Sequence, residues 1–228
     1  MLFSKTVFAG LSLLTLVKGE GLRSVRPRIV GGQPSSEPFP YFAHWNRGCG
    51  GSLVAEDIIL TAAHCEPDLS FSYSMFWLGG LELGKGVSRS SMGRIPHPLY
   101  NEYDFSYDFM LVKLNTSALV DENNNPTGLS IVPINRESSN PAQNDPLLVM
   151  GFGDDWVKDG KILQEVIVPT ITENECMDLY SEVFYDVDPT TMFCAGDIEN
   201  GGKDTCQGKL LERISPNAMS YDSLLHGH

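Results

Sequence analysis

The sequence predicts an all-β fold. Short apolar runs rich in β-branched and aromatic residues recur along the chain, Gly, Pro and Asn cluster between them, and no long 3.6-residue periodicity appears. Many short strands with frequent turns mean a sandwich or barrels. The 228 residues are 42% hydrophobic and 20% charged, which excludes a disordered chain and leaves enough length for a sizeable core. Sixteen basic against 29 acidic residues give a net charge of −13, which argues against nucleic-acid binding and favours cationic partners.

Residues 1–21 read as a secretory signal. Met1–Lys5 carries one positive charge, Val7–Val17 is almost wholly apolar, and small residues Gly19 and Gly21 follow. Eleven apolar residues are too few to span a bilayer, which takes about 20, and no later stretch is long enough either. An oxidising destination follows, in which cysteines pair; five cysteines leave one odd thiol. Loss of residues 1–28 removes five positive charges and one negative, taking −13 to −17.

Strand-length runs then follow in order: Gly51–Val54, Ile58–Thr61, Met75–Leu78, Met110–Leu114, Leu147–Met150 and Ile162–Val168. Asp121–Gly128 is a polar, turn-forming stretch and the best boundary between two halves. Thr172 with Glu175 fits a capping box, so a short helical turn is expected there. Lys209–His228 shows no strand pattern.

Two further motifs fail on their chemistry. Gly79–Gly86 nearly spells a phosphate loop, but position 86 is Gly where a hydroxyl is needed and no helix pattern follows. Asp121–Pro126 begins like a calcium loop, but Pro126 stands where Gly is needed and Val132 where the closing Glu should be. Glu82 lies in a region otherwise poor in carboxylates. His44 and His97 read as structural, and His226 and His228 as weak metal ligands at best. No metal or other cofactor is expected. Asn115-Thr116-Ser117 is a glycosylation acceptor, whereas Asn125-Pro126-Thr127 is excluded by its Pro.

Eight motifs occur in a fixed order: Arg28-Ile29-Val30-Gly31-Gly32, Cys49-Gly-Gly-Ser-Leu53, Thr61-Ala-Ala-His-Cys65, His97-Pro-Leu-Tyr-Asn101, Asp108-Phe-Met-Leu-Val-Lys-Leu114, Met150-Gly-Phe-Gly153, Met192-Phe-Cys-Ala-Gly196 and Gly202-Lys-Asp-Thr-Cys-Gln-Gly208. Each is moderately specific, and the ordered set is very specific. Over Ile29–Gly208 the chain resembles the trypsin/chymotrypsin-like serine proteases. The resemblance implies two antiparallel β-barrels with the active site between them, the second barrel incomplete here. It divides the chain into a signal peptide over 1–21, a propeptide over 22–28, a protease domain over 29–208 and an unrelated tail over 209–228.

The resemblance also implies roles. His64 matches the catalytic base, which takes the proton of a serine hydroxyl too weak to attack unaided. Asp108 matches the carboxylate that fixes the imidazole tautomer. Asp204 matches the floor of the primary specificity pocket, where a carboxylate selects Arg or Lys. Gly208 matches an oxyanion-hole glycine. Arg28 and Ile29 flank the expected activation cleavage. The family pairs Cys49 with Cys65 and Cys176 with Cys194, leaving Cys206 as the odd thiol. Expected partners are protein or peptide substrates bearing Arg or Lys and protease inhibitors, met by a secreted monomer. Taken singly, a His beside a Cys is usually structural or a metal-site candidate, and an Asp before an apolar run usually starts a surface strand.

The family pattern stops at Gly208. The family continues Asp-Ser-Gly-Gly-Pro, whereas Lys209-Leu210-Leu211-Glu212 follows here, so Leu210 stands at the nucleophile position. Three readings follow: an endopeptidase whose C-terminal segment is missing from this reading, a non-catalytic homologue acting as a binding or decoy protein, or a truncated product. His64, Asp108 and Asp204 are all kept while one contiguous block is lost, which favours the first. Gly208-Lys209-Leu210 is encodable as GGT-AAG-TTA or GGT-AAG-TTG, and both contain GTAAGT, the favoured start of a eukaryotic intron. An unspliced intron would explain the abrupt change.

Overall fold

The computed structural model describes residues 29–30, 32–66, 74–137, 139–153, 162–181, 187–198, 204–205 and 210–213. Its strands are β1 (Ile29–Val30), β2 (Gln33–Pro34), β3 (Phe42–Trp45), β4 (Gly50–Ala55), β5 (Ile58–Thr61), β6 (Met75–Leu78), β7 (Val87–Pro96), β8 (Met110–Leu114), β9 (Pro146–Gly151), β10 (Gln164–Pro169), β11 (Asp204–Thr205) and β12 (Leu210–Arg213). One helix, α1 (Glu173–Ser181), lies between β10 and β11.

Six antiparallel strands close into a barrel in the order β3-β4-β5-β8-β7-β6. The pleat decides what fills it. Along β8, Met110, Val112 and Leu114 point inward and are buried, while Leu111 and Lys113 face outward. Trp45, Leu53, Ile59, Phe76 and Leu78 complete the filling, all fully buried. Trp45 and Phe76 stack with ring centres 5.1 Å apart.

Strands β3 and β7 were not among the runs singled out in the sequence. All four residues of β3 are buried, so no alternation marks it. Val-Ser-Arg-Ser-Ser-Met-Gly-Arg-Ile-Pro is too polar to read as a ten-residue strand. It is a strand because its backbone joins β6 to β8, with an irregularity between Ser91 and Gly93 that bends it around the barrel. Gly79–Gly86 forms the loop between β6 and β7. Gly79 and Gly86 take φ of +66° and +105°, and a Cβ on Gly86 would lie 2.3 Å from the Leu78 carbonyl oxygen.

The second half holds an open four-stranded sheet in the order β12-β9-β10-β2. Leu147, Val149, Val166 and Val168 form its small core, with Phe193 and Ala195 against it. Phe42, Val132, Met150, Phe152 and Leu163 join it to the barrel. The capping box forms at α1: the Thr172 N–H donates to Glu175 Oε2 (3.0 Å) and the Glu175 N–H donates to Thr172 Oγ1 (3.2 Å). Asp121–Gly128 lies between the halves, with the Asp121 carboxylate accepting the Asn123 and Asn125 N–H groups at 2.8 and 2.9 Å.

One departure from the sequence reading falls in the tail. Leu210–Arg213 pairs antiparallel with Leu147–Met150 of β9. Leu-Leu-Glu-Arg shows neither alternation nor β-branched residues to mark it. The free edge of β9 supplies the row of donors and acceptors that selects the extended backbone.

Candidate active site

The register of two paired strands brings His64 and Asp108 together. β5 and β8 run antiparallel with Thr61 opposite Met110. His64 lies three residues beyond Thr61, in a 3-10 turn over Ala63–Cys65, and Asp108 lies two residues before Met110. Both therefore emerge at one end of the same strand pair despite 44 residues of separation.

Asp108 is held twice. Its Oδ1 accepts the His64 backbone N–H at 2.8 Å, and its Oδ2 lies 2.6 Å from His64 Nδ1. The Asp108 side chain is fully buried while the His64 side chain keeps 19% exposure. A neutral imidazole facing a carboxylate at Nδ1 carries its proton there, which leaves Nε2 as the lone-pair nitrogen. The backbone N–H bond fixes the carboxylate before the imidazole is placed, so the ring has one orientation to adopt. Such a pair can take and return a proton at Nε2.

The Cys49–Cys65 disulfide ties the His64 turn to the start of β4, with Cα atoms 6.2 Å apart. Cys49, Cys65 and His64 offer ligand atoms within 4.8 Å of one another. Both sulfurs are committed to the disulfide, so no thiolate is present and the donor set does not fit a metal ion. The second disulfide joins Cys176 of α1 to Cys194.

One contact at the site was missed in the sequence. The Phe105 ring meets His64 edge-on, with ring centres 5.9 Å apart and planes at 89°. Phe105 and Tyr107 take φ of +57° and +55°, the left-handed region that bulky residues avoid at a cost of about 1–3 kcal/mol each. Local bonds hold this backbone. Asn101 Nδ2 donates to Asp104 Oδ2 (2.7 Å), the Ser106 N–H to Asp104 Oδ1 (2.9 Å) and the Phe105 N–H to the Asn101 carbonyl (2.9 Å). The Ser106 N–H, then the Ser106 hydroxyl and the Asn101 amide, hold the Asp104 carboxyl below its ordinary pKa. Tyr107 stacks on His97 at 4.8 Å, and His97 Nδ1 accepts the Leu99 N–H at 3.2 Å. The Asn-x-x-Asp-x-Ser spacing was the available signal, since Asn and Asp cap turns of this kind.

His44 is buried, stacked on Trp77 and edge-on to Phe152. Asp204 lies on β11, whose backbone pairs with β1: Ile29 opposes Thr205 and Val30 opposes Asp204. Arg28, Cys206, Gly208 and the signal and propeptide segments lie outside the described residues. Asn115 is exposed just beyond β8.

His64 and its buried carboxylate partner thus stand at one end of a closed six-stranded barrel. The family model described as Trypsin matches residues 29–209. The chain belongs to the trypsin family. Human kallikrein-5 is 34% identical over 169 residues, covering 70% of this chain and 52% of the relative. Mouse kallikrein 1-related peptidase b24 is 30% identical over 230 residues, covering 89% and 79%. Trypsin Blo t 3 of Blomia tropicalis is 28% identical over 184 residues, covering 79% and 67%. The chain thus spans about half the length of kallikrein-5. The two disulfides fit an oxidising setting. Among the described residues, no helix is long and apolar enough to cross a membrane.

Proposed function

We propose that this chain represents a secreted endopeptidase cleaving after Arg or Lys, and that the sequence as written lacks the nucleophile for it. The observation that carries the reading is the His64–Asp108 pair, with two hydrogen bonds on one buried carboxylate. Asp108 holds the tautomer and stabilises the imidazolium, and His64 Nε2 takes the proton of a hydroxyl nucleophile and returns it to the leaving amine. The 2.6 Å approach pre-orients the ring, so little reorganisation precedes proton transfer.

The other roles rest on family position. Asp204 would receive the cationic side chain at the floor of the specificity pocket, in keeping with the −13 charge. Gly208 would donate its N–H to the oxyanion. Cleavage between Arg28 and Ile29, after loss of the signal, would give the mature start, and an Asp204-floored pocket would accept Arg28 itself. Cys206 would be the free thiol, Asn115 would carry a glycan, and the secreted chain would act as a monomer. Leu210 has no nucleophilic atom, and Lys209 cannot pair with an Ile29 ammonium. Triad members act as a unit, so His64 and Asp108 alone confer no protease-like rate.

The test uses two proteins. The 228-residue chain should neither turn over an arginine ester nor take up a serine-directed phosphonate. A form continuing Asp-Ser-Gly-Gly-Pro after Gly208, with the rest of a trypsin-family C-terminal segment, should cleave after Arg or Lys, and Asp204→Ser in that form should abolish the basic preference. Phosphonate-sensitive turnover by the 228-residue chain would overturn the reading. Amplifying cDNA across the Gly208 codon tests the intron explanation: a spliced product should encode Asp-Ser-Gly-Gly-Pro there.

A further inference from the structure

We propose that Asp104 is a positioning residue for His64: by bridging Asn101 and the Ser106 N–H, its carboxylate holds Phe105 in the left-handed conformation that sets its ring against the imidazole. The chain of contacts is continuous. Asp104 takes Asn101 Nδ2 on one oxygen and the Ser106 N–H on the other. Asn101 in turn accepts the Tyr103 N–H on its side chain and the Phe105 N–H on its carbonyl, and its own N–H reaches the Ser106 carbonyl. The loop is closed on both sides of Phe105, and φ of +57° there is stable only while those bonds hold. The ring that results stands 5.9 Å from His64, on the residue three before Asp108. Between them Tyr107 takes a second left-handed φ, and the Phe109 N–H donates to its carbonyl at 2.7 Å, so the backbone path into Asp108 passes through the same strained segment.

A carboxylate suits this task. It offers one oxygen to each donor, and its full charge strengthens both bonds. An aromatic ring perpendicular to the imidazole limits its rotation. Asp104 touches no reacting atom in this account. It works through Phe105.

The role matters for the proton transfer proposed above, but its test needs no turnover and so fails independently of that reading. In the full chain with 15N-labelled histidine, the His64 Nδ1–H should give a hydrogen-bonded proton resonance with nuclear Overhauser contacts from the imidazole to the Phe105 ring. Asp104→Ala should erase the Phe105 contact and broaden the Nδ1–H signal by exchange. Asp104→Asn keeps an acceptor for the Ser106 N–H but sets an NH2 group against Asn101 Nδ2, so it should restore only part of both. Phe105→Gly removes the ring and adopts the left-handed backbone without strain, so it should itself broaden the Nδ1–H signal, and adding Asp104→Ala in that background should change it no further. An Asp104→Ala spectrum identical to the parent overturns the proposal, as does an equal effect of Asp104→Ala in both backgrounds. If Asp104→Ala alone fails to fold, the Phe105→Gly variants decide: an Nδ1–H signal broadened in Phe105→Gly and no further in the double variant supports the proposal, and a Phe105→Gly signal as sharp as the parent's refutes it.

Discussion

The two halves of the molecule solve the same β-sheet problem differently. In the first, six strands close and each strand has two neighbours. In the second, the described strands form an open sheet whose edges are β12 and β2, four and two residues long. Closure fixes register everywhere, because a slip in one strand pair must be matched around the ring. The His64–Asp108 pair benefits: its geometry follows from one register, Thr61 opposite Met110, inside the closed half. Asp204 instead lies on a two-residue strand whose described partner is β1. His64 and Asp108 are built into a closed core, whereas Asp204 sits on a short pairing.

The strongest way to break this comparison is to empty the barrel. Phe76→Ala removes a fully buried ring stacked on Trp45 and should cost about 3–5 kcal/mol in urea unfolding. Protection from hydrogen exchange should fall across β5 and β8 together. Val149→Ala, in the second sheet, should cost only about 2 kcal/mol for its two lost methyl groups. It should leave exchange in β5 and β8 at the parent rate. Equal loss of barrel protection from both variants would show the halves to be one cooperative unit.

The disulfides sharpen the contrast. Cys49–Cys65 and Cys176–Cys194 close loops of similar sequence separation, 16 and 18. Loop closure alone therefore assigns each about 3 kcal/mol. Replacing either pair by Ser should lower stability by that amount. Only the Cys49/Cys65 replacement should also perturb the His64 signals, since only it tethers the His64 turn. A smaller effect belongs to Thr172→Ala, which removes the cap of α1 and should cost about 1 kcal/mol in thermal unfolding.

Acid should act on both halves alike. Asp104 in the first half and Asp121 in the loop between the halves are held below the ordinary value of 3.8, chiefly by the Ser106 and Asn125 N–H groups. In the second half the Thr190 hydroxyl does the same for Asp188, and the Thr172 hydroxyl holds Glu175 below 4.5. A depressed carboxylate stabilises the fold fully above its unfolded value and loses that contribution as pH falls through the lower folded value. These four groups should therefore contribute no change in thermal stability from pH 7 down to about 5, and a progressive loss below 4. A loss centred near pH 6 would point to histidines instead.

What was legible in the sequence follows the same division. β8 reads cleanly because one face meets the core and the other meets water, giving Met-Leu-Val-Lys-Leu its alternation. β3 and β7 do not, one buried throughout and the other too polar, and each is a strand because its neighbours require one. Spacing could not have brought His64 to Asp108 across 44 residues; the ordered motifs pointed to the pair, and strand register explains it. The Phe105 contact was invisible because nothing in a Phe announces a positive φ. The Leu210–Arg213 strand owes its existence to the free edge of β9 rather than to its own composition.

The closed barrel holds His64 in one ring orientation through a doubly bonded Asp108. Nitrogen-resolved histidine spectra of the full chain test it most directly. The account predicts a His64 Nδ1–H resonance far downfield, slow to exchange with water, lost in Asp108→Ala and kept in Val149→Ala. A His64 whose ring protons exchange freely in the parent protein, with the same spectrum after Asp108→Ala, would contradict it.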